Sequence, residues 1–131
     1  MPKPPLPDEV KAILAQPLPS VMASLKPDGA PLSVATWYLL EDDGRVLINL
    51  DDRRARLGHI RQDPRVSLTV LGESWYTHVS LQGRIVELQA DEDLKDIDRL
   101  SIHYGGNPYP TREFPRTSAW IEIDRWHGWH V

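Results

Sequence analysis

The sequence predicts a mainly β fold, a six-stranded antiparallel barrel with short connecting helices, and three observations carry that prediction. Residues 65–71 alternate, with Val66, Leu68 and Val70 to one side and Ser67 and Thr69 to the other, the period of a half-buried strand. Lys26-Pro27-Asp28-Gly29 and Glu41-Asp42-Asp43-Gly44 are turn sequences, so two tight hairpins follow one another as a meander. The remaining strand signals show no regular βαβ rhythm, and short strands separated by turns close into a barrel.

Each element follows from local chemistry. The first seven residues hold four prolines and read as a loose arm. Asp8 can cap a short helix with Val10, Ile13 and Leu14 on one face, stopped by Pro17 and Pro19. Residues 1–19 therefore form an arm and helix, and 20–131 a single domain. Val21–Leu25, Leu32–Leu40 and Arg45–Leu50 are the strands of the meander. Leu57 and Ile60 stand three apart in a short Arg-rich helix that Asp51 or Asp52 can cap and Pro64 ends. After the alternating strand, Gly72-Glu73-Ser74 turns the chain into Tyr76–Leu88, whose pattern slips at Gly83, the mark of a bulge. Asp91 caps a third helix carrying Leu94, Ile97 and Leu100, and Gly105-Gly106 stops it. Ser118–Asp124 is the sixth strand, with Ala119, Ile121 and Ile123 on one face.

Composition bounds the function. The 131 residues suffice for one domain with a real core. No cysteine is present, which excludes disulfides, thiolate metal sites and a cysteine nucleophile. No apolar run approaches the roughly 18 residues of a membrane span, and the proline-rich start has no signal-peptide core. The expectation is a cytoplasmic protein without membrane or nucleic-acid partners, the latter because the net charge is −4. That charge is unevenly spread. Residues 53–65 hold five arginines against one aspartate, whereas residues 91–98 hold five acids and one lysine. A compact basic island on an acidic chain suits a small polyanion such as a phosphate.

Arg53, Arg54 and Arg56 fall in or near the first turn of the Arg-rich helix, where free N–H groups and the positive dipole end also favour an anion. Arginine suits bidentate phosphate contact. The alternative is a solvated basic helix balanced by neighbouring aspartates. None of His59, His78, His103, His127 or His130 sits in a metal-binding spacing, so no metal is expected. The sequence also lacks a P-loop, a GxSxG and a GxGxxG. Aromatic content is weighted to Trp37, Trp75, Trp120, Trp126 and Trp129, which pack a core or offer flat surfaces to a planar ligand.

Arg54-Ala55-Arg56 followed by His59-Ile60-Arg61-Gln62-Asp63-Pro64-Arg65-Val66-Ser67-Leu68 resembles the helix-to-strand signature of the pyridoxamine 5′-phosphate oxidase-like split β-barrel superfamily. In particular it resembles the actinobacterial branch that uses the deazaflavin F420, with the pattern R-x-K-x-x-N-[IL]-x-x-D-P-R-V-S. Asp28-Gly29-Ala30-Pro31 leading to Thr36-Trp37-Tyr38, Gly83-Arg84, and Trp126-His127-Gly128 extend the resemblance over residues 20–130. The chain departs from the pattern at Arg56, where Lys is usual, and at His59, where Asn is usual. It is also shorter than the vitamin-making oxidase and lacks its C-terminal substrate-binding arginines, which argues against pyridoxamine phosphate oxidation.

The resemblance implies a six-stranded FMN-binding-type split barrel and a homodimer with its cofactor at the subunit interface. Arg54 and Arg56 would be the phosphate ligands, Asn49 and Leu50 would flank the cofactor, and Ala35, Thr36 and Trp37 would line its ring. His78, Gln82 and Trp126 would reach it from the partner subunit. Lys26, Arg61 and Arg65 could meet the polyglutamate tail of F420. The implied function is an oxidoreductase moving hydride between F420 and an electron-poor small-molecule substrate. Tyr76, His78 and Tyr104 are proton-donor candidates beside solvent, and no catalytic side chain is assigned. The alternatives are an FMN-dependent oxidase or reductase of the same fold and a non-catalytic module that binds a flavin or another planar ligand. Substrate-pocket variation in the family would fall on Gly72–Trp75 and Gly105–Pro115.

Overall fold

The computed structural model describes residues 1–131. Its strands are β1 (Ser20–Leu25), β2 (Pro31–Ala35), β3 (Leu39–Leu40), β4 (Val46–Asp51), β5 (Arg65–Leu71), β6 (His78–Ala90) and β7 (Arg116–Trp129). They form one antiparallel sheet in the order β2-β1-β5-β6-β7-β4-β3. Helix α1 is Asp8–Leu14, α2 is Ala55–Gln62 and α3 is Lys95–Gly105, the last entered through a 3-10 turn at Glu92–Leu94.

The mainly β antiparallel architecture is as the sequence predicts, with two corrections. There are seven strands rather than six, and the barrel is not closed. Both corrections have one cause. The stretch 32–40, expected as a single strand, breaks at Thr36–Tyr38, so that β2 pairs with β1 while β3 pairs with β4 at the other edge. A flat seven-strand sheet would hold those edges about 29 Å apart. Four steps of 3.8 Å between Cα atoms limit Ala35 and Leu39 to ~15 Å. The sheet must roll up, and it meets itself across a short link instead of a ladder of hydrogen bonds.

The interior is filled by Met22, Val46, Ile48, Leu50, Leu68, Val70, Val79, Leu81, Ala119 and Ile121 among others, with Leu40 of β3 packed against it. Leu57 and Ile60 of α2 and Val10 and Leu14 of α1 close its ends. The arm is not loose. Leu6 is buried in the same core, and the backbone N–H of Trp126 donates to the Pro2 carbonyl at 3.0 Å. β4 is buried on both faces, because Leu47 points outward into a second cluster with Trp120 of β7 and Ile97 and Leu100 of α3. Helix α3 is thereby fixed to the outside of the β4–β7 pair.

Gly83 lies at a register shift between β6 and β7, the bulge the sequence predicts. A Cβ there would sit 2.1 Å from the Glu122 carbonyl oxygen, so only glycine lets the strands approach. Gly106, at φ 83°, ends α3 in the left-handed conformation expected of a C-terminal glycine. No helix is long and apolar enough to cross a membrane.

Candidate functional site

A cleft of about 580 Å³ opens where the sheet is split. The link itself supplies Thr36 and Trp37, β2 supplies Ala35, and Pro17, Pro19 and Ser20 form the adjoining rim. The link is tied to β1 by the Thr36 N–H donating to the Ser20 carbonyl at 3.1 Å and by the Ser20 hydroxyl donating back to the Thr36 carbonyl. Tyr38, the next residue, is fully buried, and its hydroxyl donates to the Gln16 carbonyl at 2.8 Å. Burial pushes the Tyr38 phenol well above its ordinary range, so it stays a donor.

One wall of the cleft is aromatic. Trp37 stacks on Tyr104 of α3 with ring centroids 5.3 Å apart, and Tyr109 meets Trp37 edge-on at 6.2 Å. The Tyr104 hydroxyl donates to the Leu18 carbonyl at 2.8 Å and accepts from the Tyr38 N–H at 3.3 Å. Burial raises its pKa as well, so Tyr104 is a neutral, anchored wall.

The other wall is cationic, and two capping expectations are corrected here. α2 starts after Arg54, with no side chain capping its first turn. Asp51 instead accepts the Arg53 N–H at 2.9 Å and the Arg53 guanidinium at 2.7 Å, while Asp52 accepts the Thr117 hydroxyl at 2.7 Å. The Arg53 guanidinium beside it holds the Asp51 carboxyl well below the usual carboxylate range. The first turn of α2 thus keeps its N–H groups unclaimed by any side chain. Arg56 projects from that turn into the cleft, and its Nη1 is buried without a hydrogen-bond partner. Burial, then the fields of Arg54 and Arg116, disfavour its charged form. An orphaned buried guanidinium nitrogen in the field of two further arginines is the environment an anion would relieve.

Of the residues singled out in the sequence, the cleft brings together Ala35, Thr36, Trp37, Asn49 and Arg56. Arg54 is exposed at the mouth of α2, close enough for its charge to act on Arg56. Leu50 is fully buried in the barrel core and does not line the cleft. His78, Gln82 and Trp126 lie on β6 and β7 outside it, and Gln82 lines a separate hollow with Arg65 and Ser24. The Gly72–Trp75 turn is also remote, with Trp75 84% exposed, whereas the Gly105–Pro115 loop delivers Tyr109 to the cleft.

Sequence reasoning named Tyr104 only as a proton-donor candidate and missed Tyr109 and Arg116 as walls. The signal for Arg116 was faint: an arginine directly before Thr117-Ser118, two polar residues that enter a buried strand and need partners. Arg116 comes within 4.0 Å of Asp51, and its guanidinium lies over the Tyr109 ring at 5.0 Å.

Residues 6–130 match the profile of the family described as pyridoxamine 5′-phosphate oxidase. The chain belongs to that family. Among solved structures, this family member is similar to an F420 reductase, with 19% identity over 93% of this chain and 98% of that one and a TM-score of 0.85. It is similar to the conserved hypothetical protein Rv2991 from Mycobacterium tuberculosis, at 22% identity over 97% of this chain and 86% of that one, with a TM-score of 0.71. It is also similar to General Stress Protein 26 from Bacillus anthracis str. Sterne, at 14% identity over 93% and 92% of the two chains, with a TM-score of 0.68. No curated protein matches the chain significantly. Membership of the pyridoxamine 5′-phosphate oxidase family supports an oxidoreductase of the flavin or deazaflavin type.

Proposed function

We propose that this protein is an F420-dependent oxidoreductase that exchanges hydride with an electron-poor small molecule such as an enone. The observation that carries the reading is the buried, unpartnered Nη1 of Arg56, which feels the charges of Arg54 and Arg116 and lines the same cleft as the Trp37–Tyr104 stack. A phosphate at one end and a planar ring at the other match a ribityl-phosphate deazaflavin. The likeness to an F420 reductase structure supports the choice of cofactor over FMN.

When bound, the deazaflavin supplies the hydride chemistry. The chain's part is to hold and orient. Arg54, Arg56 and the open N–H groups of α2 grip the phosphate, and Trp37, Ala35 and Thr36 fix the ring against the wall. Tyr104 and Tyr109 keep water from that face. Tyr104 already donates its proton to Leu18, and Tyr76 and His78 of the same chain do not line the cleft, so the proton that accompanies hydride transfer comes from solvent or from the His78 of a second copy. A second copy of the chain would bring His78, Gln82 and Trp126 to the open side.

The test is a parallel titration of the purified protein with F420 and FMN, followed by a turnover screen of activated alkenes with reduced F420. Micromolar binding of F420, weaker FMN binding and turnover of at least one acceptor are expected. A preference for FMN moves the protein to the FMN enzymes of the same fold. Tight F420 binding without turnover of any acceptor makes it a binding module.

A further inference from the structure

We infer that Asp91 and Asn49 form a brace that positions Arg116 and helix α3 together, so that one buried carboxylate sets the geometry of both cleft walls. This rests on reading the cleft as the site of a phosphate-bearing cofactor. The Arg116 Nε–H donates to Asn49 Oδ1 at 2.7 Å. The Asn49 amide then donates to Asp91 Oδ2 at 3.0 Å and to the Ser118 hydroxyl at 3.2 Å, so neither amide hydrogen is left for a ligand. Asp91 accepts the backbone N–H of Asp96 and of Ile97, each at 2.9 Å, which caps α3 across the 3-10 turn. Ser118 completes the set by donating to Asp96 at 2.7 Å. Asn49, Asp91, Asp96 and Ser118 are all buried.

Two consequences distinguish this brace from ordinary core polarity. Asn49 orients the guanidinium through a neutral oxygen, and the Arg116 Nη groups make no hydrogen bond within the chain, the nearest carboxylate being Asp51 at 4.0 Å from Nη1. The negative charge sits one residue further on, where helix N–H groups absorb it. The second consequence is linkage. The α3 whose start Asp91 fixes carries Ile97, Leu100 and Tyr104 into the cleft. Asn49, which the sequence suggests as a flank of the cofactor, is on this reading a positioning residue that acts through Arg116.

The experiment compares F420 with the same deazaflavin lacking its phosphate-linked tail. Asn49→Leu is expected to lower F420 affinity about tenfold, the worth of one charge-assisted hydrogen bond, and to change the tail-less ligand less than about twofold. In an Arg116→Met background Asn49→Leu should add nothing. Asp91→Asn leaves fewer acceptors for three donors and should weaken both ligands by similar factors. A ligand-free readout is the Arg116 Nε–H resonance in a nitrogen correlation spectrum, slowly exchanging in the native protein and lost in a folded Asn49→Leu. Persistence of that resonance, or an unchanged F420 preference in Asn49→Leu, overturns the brace. A native protein that holds both ligands equally overturns the phosphate reading instead, which the resonance test does not depend on.

Discussion

The two ends of the basic stretch differ from its middle. Before α2, Asp51 accepts the backbone N–H and the guanidinium of Arg53. After α2, Asp63 does the same for Arg65, at 3.2 Å and 2.7 Å. Each is an aspartate turn closed by the arginine two residues on. Arg54 and Arg56, between them, have no carboxylate partner, and Arg56 is partly buried as well. Four of the five arginines in these thirteen residues therefore divide between two jobs. The outer pair completes turns that start and stop the helix, and the inner pair leaves charge for something else to balance. Local net charge overstates a binding site when its cations are self-paired, and pairing is a property of turn geometry that composition does not carry.

The largest test of that division is Arg54→Ala with Arg56→Ala. Each charge-assisted contact is worth about 1.5–3 kcal/mol, so the pair should cost F420 affinity about a hundredfold or more while the melting temperature holds or rises. Calorimetric titration and a thermal melt read both; unchanged affinity would place the anion elsewhere. Gly83→Ala is the reciprocal case, a break in the fold away from the arginines. Its Cβ would run into the Glu122 carbonyl, and about 2–3 kcal/mol of stability should be lost, seen as a lower denaturation midpoint with binding retained in the folded fraction. The smallest effect belongs to the outer pair. Arg53 lowers the folded-state pKa of Asp51, so this contribution is fully present above an unfolded carboxylate pKa of about 3.9 and drains away as pH falls below it. Asp51→Asn should flatten the acid side of the stability profile slightly and leave F420 affinity within about twofold, in keeping with the small worth of exposed ion pairs.

Much of the fold could be read from local pattern. Val66, Leu68 and Val70 alternate as they do because one face of β5 is buried, and Gly83 marks a bulge because backbone must pass there. Asp91 was legible as a cap, although it reaches α3 across a 3-10 turn. The break at Thr36–Tyr38 was not legible. All three residues favour strands, and the backbone groups of the link find tertiary partners instead of a ladder, the Tyr38 N–H donating to the Tyr104 hydroxyl. The site divides the same way. Arg54 and Arg56 share one short segment and were visible, whereas Tyr104 and Arg116 reach the cleft only once α3 and β7 have packed on β4. Leu50 and Asn49 show the limit of a residue-by-residue resemblance: adjacent in sequence, they point to opposite faces of β4, one into the barrel core and one into the brace beneath Arg116.

The three-residue link between the sheet edges also acts as a gauge. Side chains decide what lines the cleft, but bond lengths decide how far its lips can part. One residue inserted between Thr36 and Trp37 would lengthen the tether by about 3.5 Å, close to the contact distance between stacked carbon atoms. A single insertion there would let the mouth take one more aromatic layer without replacing any residue of the barrel interior. Ligand size in this architecture can thus be adjusted by counting residues in a tether as readily as by recarving a pocket.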